Sequence, residues 1–260
     1  MGGLTLSANG TLSGTILSTA GGHTLTLHVM VTDADGNEAH GVFYLPVLDG
    51  LAVSAGPPIT ATEGTSFTGT IATLSDTASS LTASDFSATV HWGDGTSTTG
   101  GVSATGTGTF NVAGSHSYSD EGSYSVTVTV TEATGGTGAT GSAGFDATVA
   151  DARLSASPVS ASATAGSAFA GTVATFTDAN TGAPVSDYST TIEWGDGSRS
   201  AGTVSSTGTG SFAVSGTHTY SSPGAYSAAV SVDDVGGSSA TATSTVTCRY
   251  VEASPHHHYR

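Results

Sequence analysis

The sequence predicts an all-β chain of tandem antiparallel β-sandwiches. Apolar residues alternate with polar ones over short segments, which is the pattern of half-buried strands. Turn signals such as Gly-Asp-Gly, Thr-Gly-Thr-Gly and Ser-Pro-Gly recur about every 8 to 12 residues, as expected for a sandwich. A segment of about 100 residues also occurs twice. No segment has the hydrophobic period of a helix.

The duplication is visible in TVHWGDGTSTTGGV (89–102), which returns as TIEWGDGSRSAGTV (191–204). The two tryptophans are 102 residues apart (194 − 92). Because one offset relates many landmarks, we interpret the chain as a tandem duplication with no insertion or deletion inside the repeat. The landmark pairs are Gly64/Gly166, Phe67/Phe169, Gly69/Gly171, Trp92/Trp194, His116/His218, Tyr118/Tyr220, Tyr124/Tyr226 and Val130/Val232.

Two segments of each copy carry the clearest alternation. In FSATVHW (86–92) the Phe, Ala, Val and Trp residues share one face, and in YSVTVTV (124–130) Tyr124 and three valines do. The second copy repeats the latter as YSAAVSV (226–232), beginning with Tyr226. Alternation with β-branched residues indicates antiparallel strands. Both tyrosines follow a glycine at a strand start, a position that suits a tyrosine corner.

Trp-Gly-Asp-Gly, followed by His-x-Tyr and then Gly-x-Tyr-x-Val, resembles the polycystic kidney disease (PKD) domain. The second copy departs from the first at Ala228, where the first has Val126. The resemblance implies two sandwich domains of the immunoglobulin type, residues 50–151 and 152–252. The matching residues are 92–95, 116–118 and 122–128 in the first copy, and 194–197, 218–220 and 224–230 in the second.

The segments outside the duplication are different. Residues 1–49, with GLTLSANGTLSGT and TLHVMVTDADGNEAHGVFYLPV, resemble the second half of a bacterial immunoglobulin-like or cadherin-like module. Half a sandwich would leave an open sheet edge to which another chain could add strands. Residues 253–260 break the pattern and are assigned to a tail. The start lacks the features of a signal peptide, and we expect the sequence to be a piece of a longer protein.

The Trp-Gly-Asp-Gly turn, which occurs in both copies, has a structural and a functional interpretation. Trp92 and Trp194 are expected to fill the space between two sheets, whereas exposed indoles would form a sugar-stacking platform. Asp94 and Asp196 lie between glycines, where a carboxylate accepts N–H bonds from the residues that follow; calcium binding is the alternative. With Tyr124 and Tyr226, these residues form the predicted structural core and turns.

No catalytic residue is predicted. His116 and His218 have no Gly-x-Ser-x-Gly nucleophile elbow near them. They recur at equivalent positions two residues before a tyrosine, which favours a role in fixing a strand. We therefore expect a protein that is not an enzyme.

The segment TDADGNE is the best candidate for calcium. Asp33, Asp35, Asn37 and Glu38 place four oxygen-bearing side chains within six residues, a spacing that begins like a calcium loop. The later acidic ligand and the flanking helices of an EF-hand are missing. The alternative is a hairpin turn in which Asp-Gly provides the positive φ.

The composition excludes several classes of partner. Twenty acidic and four basic residues give a net charge of −16, which argues against nucleic acid and against docking to an anionic membrane. Membrane insertion is not expected, because no apolar run reaches the ~18 residues that a membrane helix needs. A single cysteine excludes an intrachain disulfide. The chain has no Lys and no Gln, so the isopeptide and ester crosslinks of some bacterial adhesin modules are excluded.

Together these features predict a non-catalytic stalk, spacer or filament-forming segment of an extracellular bacterial surface or secreted protein. Its expected partners are neighbouring modules of the same or identical chains, joined by strand addition or by calcium. The alternative is a carbohydrate-binding accessory module that recognises surface glycans, with Tyr44 and Tyr188 as the aromatic residues whose exposure is undecided.

Overall fold

A computed structural model describes residues 4–7, 10–14, 24–46, 50–76, 81–132 and 138–250. Within these ranges it is built from mainly antiparallel sheets with two short 3₁₀ turns, which confirms the predicted all-β fold of immunoglobulin-like sandwiches. The predicted tail at 253–260 lies outside the described residues.

Two hairpins come first. β1 pairs with β2, and β3 pairs with β4 over nine positions from Thr24↔Pro46 to Thr32↔Glu38. In β3 the residues Leu25, Leu27 and Val29 are half-buried, while the threonines and histidine between them are exposed. The four strands are β1 (Leu4–Leu6), β2 (Leu12–Gly14), β3 (Thr24–Thr32) and β4 (Glu38–Pro46).

The first sandwich follows, and its strands form one continuous sheet of eight. Their order is β5-β7-β10-β9-β8-β11-β12-β6, and β9 joins the two halves because it pairs with both β10 and β8. A 3₁₀ turn at Ala83–Asp85 precedes β8. The strands are β5 (Ala52–Ala55), β6 (Ile59–Thr62), β7 (Phe67–Ser75), β8 (Phe86–His91), β9 (Ser97–Gly106), β10 (Thr109–His116), β11 (Gly122–Glu132) and β12 (Thr140–Ala150).

In the second sandwich the counterpart of β9 is divided in two. The result is two separate sheets, β13-β15-β19-β18 and β14-β21-β20-β16-β17. A 3₁₀ turn at Val185–Asp187 repeats the earlier one. The strands are β13 (Leu154–Pro158), β14 (Ala161–Thr164), β15 (Ala168–Asp178), β16 (Tyr188–Glu193), β17 (Arg199–Ala201), β18 (Thr203–Gly208), β19 (Ser211–Thr219), β20 (Gly224–Asp234) and β21 (Ser239–Arg249).

The repeat is not free of insertions. Glu132 N–H donates to Ala139 O, whereas its counterpart Asp234 N–H donates to Ser238 O. The last hairpin of the first sandwich is therefore three residues longer, and the expectation of an unbroken offset is wrong beyond this point. A hairpin loop absorbs extra residues without moving the core strands, which is why the landmarks before it keep one offset.

Backbone contacts divide the chain into two compact units. The first contains residues 1–59, 67–116 and 123–147, and the second contains residues 60–66, 117–122 and 148–260. The loops at 60–66 and 117–122 thus group with the second sandwich. We call residues 60–66, 117–122 and 148–260 the second unit.

Candidate functional site

Each sandwich holds a cluster of one buried tryptophan, one half-buried histidine and one exposed aspartate. In the second sandwich the ring of His218 stacks on the indole of Trp194, with centroids 4.9 Å apart and planes 16° from parallel. His218 Nε2 lies 2.8 Å from Asp196 Oδ2. We call this cluster the Trp-His-Asp clasp.

The first sandwich contains the same clasp. His116 stacks on Trp92 at 4.7 Å with an interplanar angle of 11°, and its Nε2 lies 2.7 Å from Asp94 Oδ2. The sequence indicated each of these residues separately but not that His and Asp would pair. Their shared offset of 102 shows that both side chains recur in the repeat, but it does not show that they touch.

Both indoles are closed off from solvent. Trp92 is 0% exposed and Trp194 is 1% exposed. The indole N–H of Trp92 donates to Thr98 Oγ1 at 2.9 Å, and that of Trp194 donates to Ser200 Oγ at 3.0 Å. A ring that stacks on a sugar must be exposed, so neither tryptophan forms a carbohydrate platform.

A tight turn aims the aspartate of the clasp. In the first sandwich Asp94 Oδ1 accepts the N–H of Thr96 at 2.9 Å and its hydroxyl at 2.7 Å. Gly93 has φ +86°, and a Cβ there would lie 2.7 Å from Ser125 O, so only glycine fits between the turn and the next strand. The carboxylate is held by one oxygen, and the other points to the histidine.

Hydrogen bonds also set the charge of the aspartates. The side-chain hydrogen bond from Ser198 lowers the pKa of Asp196 to about 2, with His218 contributing in the same direction. Burial opposes ionisation of Asp94, but hydrogen bonds from Thr96 and His116 outweigh it and lower the pKa of that carboxyl. Both aspartates are therefore firmly ionised at neutral pH.

The second clasp contains Ser, His and Asp, but its geometry is not that of a catalytic triad. Ser198 Oγ and Asp196 Oδ2 both approach the same nitrogen, Nε2 of His218, at 3.4 Å and 2.8 Å. A triad needs the base to contact its nucleophile and its aspartate through opposite nitrogens. Ser198 instead donates its proton to Asp196 Oδ1 at 2.6 Å. The hydroxyl is engaged by the turn and is not activated by the histidine.

The tyrosines fall into different environments. Tyr226, half-buried, donates its hydroxyl to Ser222 O at 2.8 Å and stacks on Tyr220 with centroids 4.1 Å apart. Tyr124, its counterpart, is also half-buried. Of the two aromatics whose exposure was undecided, Tyr44 is 71% exposed and Tyr188 is only 8% exposed.

The Asp33–Glu38 segment forms the turn between β3 and β4. Asp33 Oδ1 accepts the N–H groups of Asp35 and Asn37, and its Oδ2 accepts the Asn37 side-chain amide at 2.9 Å. These bonds, the side-chain bond from Asn37 first, lower the pKa of Asp33. Gly36 has φ +86°, as an Asp-Gly turn requires. Glu38 Oε2 lies 3.5 Å from His40 Nε2.

A second concentration of acidic side chains lies in the second unit, where no sequence signal had indicated one. It surrounds a cavity of about 190 Å³ whose wall includes five carboxylates. Carboxylates grouped this closely create a region of negative potential. The five residues are Glu63, Asp120, Glu121, Asp187 and Asp234.

Burial and mutual repulsion act on two of these groups. Glu63 is 5% exposed, and its Oε1 accepts the N–H of Ala152 at 3.1 Å. Burial, followed by the charges of Asp151 and Asp178, raises the pKa of Glu63. Burial and the same two charges also raise the pKa of Asp234. Negative charge in this region therefore works against the stability of the fold at neutral pH.

The described ranges lack two kinds of feature. No helix in them is long and apolar enough to cross a membrane. They also contain no group of three or more His, Cys, Asp or Glu side chains arranged to hold a metal ion.

Comparisons with known proteins report likeness in fold only. No family model and no curated protein matches the chain. A tetra-tandem repeat from the extending region of a large adhesion protein matches 94% of this chain at 15% identity, with a TM-score of 0.46. The PKD domain of an M14-like peptidase from Thermoplasmatales archaeon SCGC AB-540-F20 matches 37% of this chain at 19% identity, with a TM-score of 0.25, and 91% of that domain is covered.

An endo-fucoidan hydrolase of glycoside hydrolase family 107 matches 96% of this chain at 18% identity, with a TM-score of 0.30. This chain spans 37% of the length of the fucoidan hydrolase and 62% of the adhesion-protein repeat. Immunoglobulin-like sandwiches occur in proteins of many functions, so the function is argued from the residues of this chain.

Proposed function

We propose that the chain is a non-catalytic, force-bearing spacer of an extracellular surface or secreted protein. The observation that carries the proposal is a parallel pair of strands, β14 and β21, near the start and the end of the second sandwich. β14 pairs with β21 from Ala161↔Val246 to Thr164↔Arg249. Ala165 N–H extends the ladder by donating to Arg249 O at 2.8 Å.

The direction of this pair decides how the sandwich responds to load. A pull on the two ends of the domain draws β14 and β21 in opposite directions along their own axes. The hydrogen bonds between them are then strained together, whereas antiparallel strands of a hairpin can be peeled apart one bond at a time. A parallel terminal pair therefore resists extension, which is what a spacer between a surface and a distant domain needs.

A buried serine ties this pair to the opposite sheet. Ser244 on β21 is 1% exposed, and its hydroxyl accepts the N–H of Val159 at 3.0 Å and donates to Val173 O. Val159 N–H also lies 3.1 Å from Val173 O. The crossover between β13 and β14 is thus fixed to both sheets, so that load on β14 does not simply pull the crossover free.

The first sandwich places its strands in the same way. β6 lies beside β12 in the sheet, and Glu63 N–H donates to Ala150 O at 3.0 Å, as Ala165 N–H does to Arg249 O. The duplicated clasp and the repeated terminal pairing support a chain of equivalent mechanical units. The acidic surface, with only 9% charged residues overall, suits an extracellular protein exposed to other macromolecules.

Single-molecule force spectroscopy tests this proposal on the full chain tethered by its two ends. We expect two unfolding events, each releasing about 30 nm for about 100 residues. Tethering at Pro223 and the C-terminus instead pulls on the open end of the β20–β21 hairpin, where Gly224 pairs with Cys248. This geometry peels β21 from β20, and the second sandwich should then open at a clearly lower force. Equal forces in both geometries would show that the parallel pair bears no load.

Substitution of the buried serine gives a matched comparison. Ser244→Ala should lower the force of one of the two events, because both hydrogen bonds of the hydroxyl are lost. Thr243→Ala, one residue away on the exposed side of β21, should leave both forces unchanged. A loss of force in the control alone, or in neither variant, would contradict the role assigned to Ser244.

Assembly with neighbouring or identical chains through strand addition is a finer part of the proposal. In the described chain β3 and β4 pair only with each other, which leaves an edge on each strand. Calcium at Asp33, Asp35, Asn37 and Glu38 is proposed as an aid to such assembly. Light scattering in EDTA and in millimolar calcium checks it, and identical masses in the two buffers would remove calcium from the proposal.

Binding of surface glycans remains the second candidate function. The observation in its favour is Tyr44, an aromatic residue of β4 that is 71% exposed. Retention on chitin or cellulose that is lost in Tyr44→Ala would support it. Sugar sites usually combine several exposed aromatics, so we place this function behind the spacer.

A further inference from the structure

The hairpin of β3 and β4 has one face that is entirely apolar. The register Leu27↔Phe43, Val29↔Gly41 and Val31↔Ala39 puts these side chains on the same side of the sheet. We call this side, together with Leu25 and Leu45, the apolar face. The opposite side carries threonines, histidines, Met30, Val42 and Tyr44.

The apolar face is only partly covered. Phe43 and Val31 are each 60% exposed, whereas the core residues of the two sandwiches are at most 8% exposed. Leu6 and Leu12 from the first hairpin border the same groove, whose volume is about 510 Å³, and they are 46% and 42% exposed. The face has the composition of one half of a sandwich core.

We propose that a second copy of this chain covers the apolar face, with the two β3–β4 hairpins stacked face to face about a two-fold axis. Such an interface is self-complementary, since the same patch is presented by both copies. This inference goes beyond the spacer function, which a monomeric chain would still fulfil.

The area of the face fits a dimer. Its exposed aliphatic and aromatic side chains present on the order of 500 Å² of apolar surface, from the usual 150–250 Å² of a large side chain scaled by its exposure. Two such faces bury about 1,000 Å² in total, which reaches the size at which protein interfaces become specific. A patch of this size is towards the upper end of what monomeric proteins expose, and such patches are often functional.

The number of strands also fits. β1 to β4 of two copies supply eight strands, and the complete second sandwich is built from nine, β13 to β21. Two stacked hairpin pairs would thus form a core of ordinary domain size. Sheets of this kind need a second layer to bury their apolar face, and Leu6 and Leu12 at the groove still leave Val31 and Phe43 each 60% exposed.

The distribution of charge permits the approach of two copies. The chain carries a net charge of −16, so most of its surface repels a second copy. The apolar face contains no charged residue, and the acids of this hairpin lie at its turn, Asp33 and Asp35, or on the opposite side, Glu38. Association at this face therefore buries no like charges against each other.

Sedimentation velocity and light scattering between about 1 and 200 µM test the proposal with the full chain. The chain has a mass of 25.2 kDa, and we expect it to approach twice this value at the higher concentrations. Phe43→Glu places a charge on the apolar face and should weaken the dimer by at least about 30-fold, as loss of a central aromatic does. Val42→Glu places the same charge one residue away on the opposite face, opposite His28 and outside the lining of the groove, and should leave the dimer intact.

Hydrogen exchange in the wild-type chain supplies a test that needs no substitution. Amide protection over residues 24–46 should rise between 5 and 200 µM, while protection over β13 to β21 should not change. A wild-type chain that stays monomeric at 200 µM would overturn the proposal. So would open-ended polymers, which would indicate edge-to-edge strand addition, or equal weakening by the two glutamate variants.

Discussion

Gly216 occupies a position in β19 where the tryptophan of the clasp leaves no room for a side chain. A Cβ built there would lie 2.6 Å from Ile192 Cδ1 and 2.9 and 3.0 Å from two ring atoms of Trp194. Gly114 is crowded in a similar way in the first sandwich, where a Cβ would lie 2.7 Å from Ile71 Cδ1 and 2.9 Å from the Trp92 ring. Favourable contacts between carbon atoms are 3.5–4.0 Å long, so Gly216→Ala creates an overlap of roughly 1 Å.

The expected cost follows from which neighbours can yield. The isoleucine methyl can rotate away, but the indole is held by its hydrogen bond to Ser200 and by the stacked ring of His218. Overpacking of a tight core costs about 1–3 kcal/mol, and replacing glycine lowers the entropy of the unfolded chain by an equivalent of about 0.4–1 kcal/mol. We expect Gly216→Ala to destabilise the second sandwich by about 1–2 kcal/mol.

Urea unfolding read by hydrogen exchange of peptides from β16 and β8 follows the two sandwiches separately. The midpoint for β16 should fall by about 0.5–1 M, since a domain of this size has an m-value of about 1–3 kcal/mol/M. Gly208→Ala is the matched control, because a Cβ at Gly208 in β18 meets nothing within 4 Å. It should leave the midpoint unchanged or slightly raised.

A double substitution tests the cause. Ile192→Val removes the Cδ1 methyl and alone should cost about 0.5–1.5 kcal/mol. In the Gly216→Ala background its cost should be smaller, because the overlapping methyl has gone. If Gly216→Ala proves as stable as Gly208→Ala, or if the two effects at Gly216 and Ile192 simply add, the packing argument fails.

Three further predictions concern polar groups of the second sandwich. Asp196→Asn should lower the free energy of unfolding at pH 7 by about 1 kcal/mol. The folded-state pKa of Asp196 is depressed to about 2, so the wild-type advantage is present above the unfolded pKa and is lost as the pH falls towards 2. Acid unfolding curves of the two proteins should therefore converge near pH 2. Asp234→Asn should raise stability at pH 7. The raised folded-state pKa makes the ionised carboxyl of Asp234 unfavourable in the folded protein, so the variant should have a higher urea midpoint than the wild type. At a pH low enough to protonate Asp234 in the wild type, the two midpoints should be equal. Tyr188→Phe removes the hydroxyl that donates to Asp178 Oδ2 at 2.6 Å in the core, and calorimetry should show a loss of about 1–3 kcal/mol with no loss of fold; an unchanged transition would mean that Asp178 finds another donor.

Local features were predictable because they depend on neighbours in the chain. The alternation in 86–92 and 124–130 predicts which face of each strand is buried, since side chains on a strand alternate strictly in direction. Repetition of Trp, Asp and His at one offset identified the parts of the clasp. Glycines flanking Asp94 and Asp196 predicted turns, because positive φ is favourable only for glycine or a few polar residues.

Contacts between distant segments had no such signal. The pairing of His116 with Asp94 depends on β10 lying next to the turn after β8, and the acidic cavity collects Glu63, Asp120 and Asp234 from segments far apart in sequence. The three extra residues in the last hairpin of the first sandwich were also not predicted from the sequence. A loop tolerates insertion at little cost, so it leaves no trace in the periodic pattern that identifies strands.

By itself, then, the sequence determined the strands, the repeat and the buried tryptophans, because alternation and a fixed offset are properties of consecutive residues. The tertiary structure alone decided that β14 runs parallel to β21, that the histidine closes on the aspartate, and that the face of β3 and β4 is left open. Pairing direction and coverage depend on which strands meet across the sheet. Which strands meet depends on burying the apolar surface of the whole core, and no single segment contains that information.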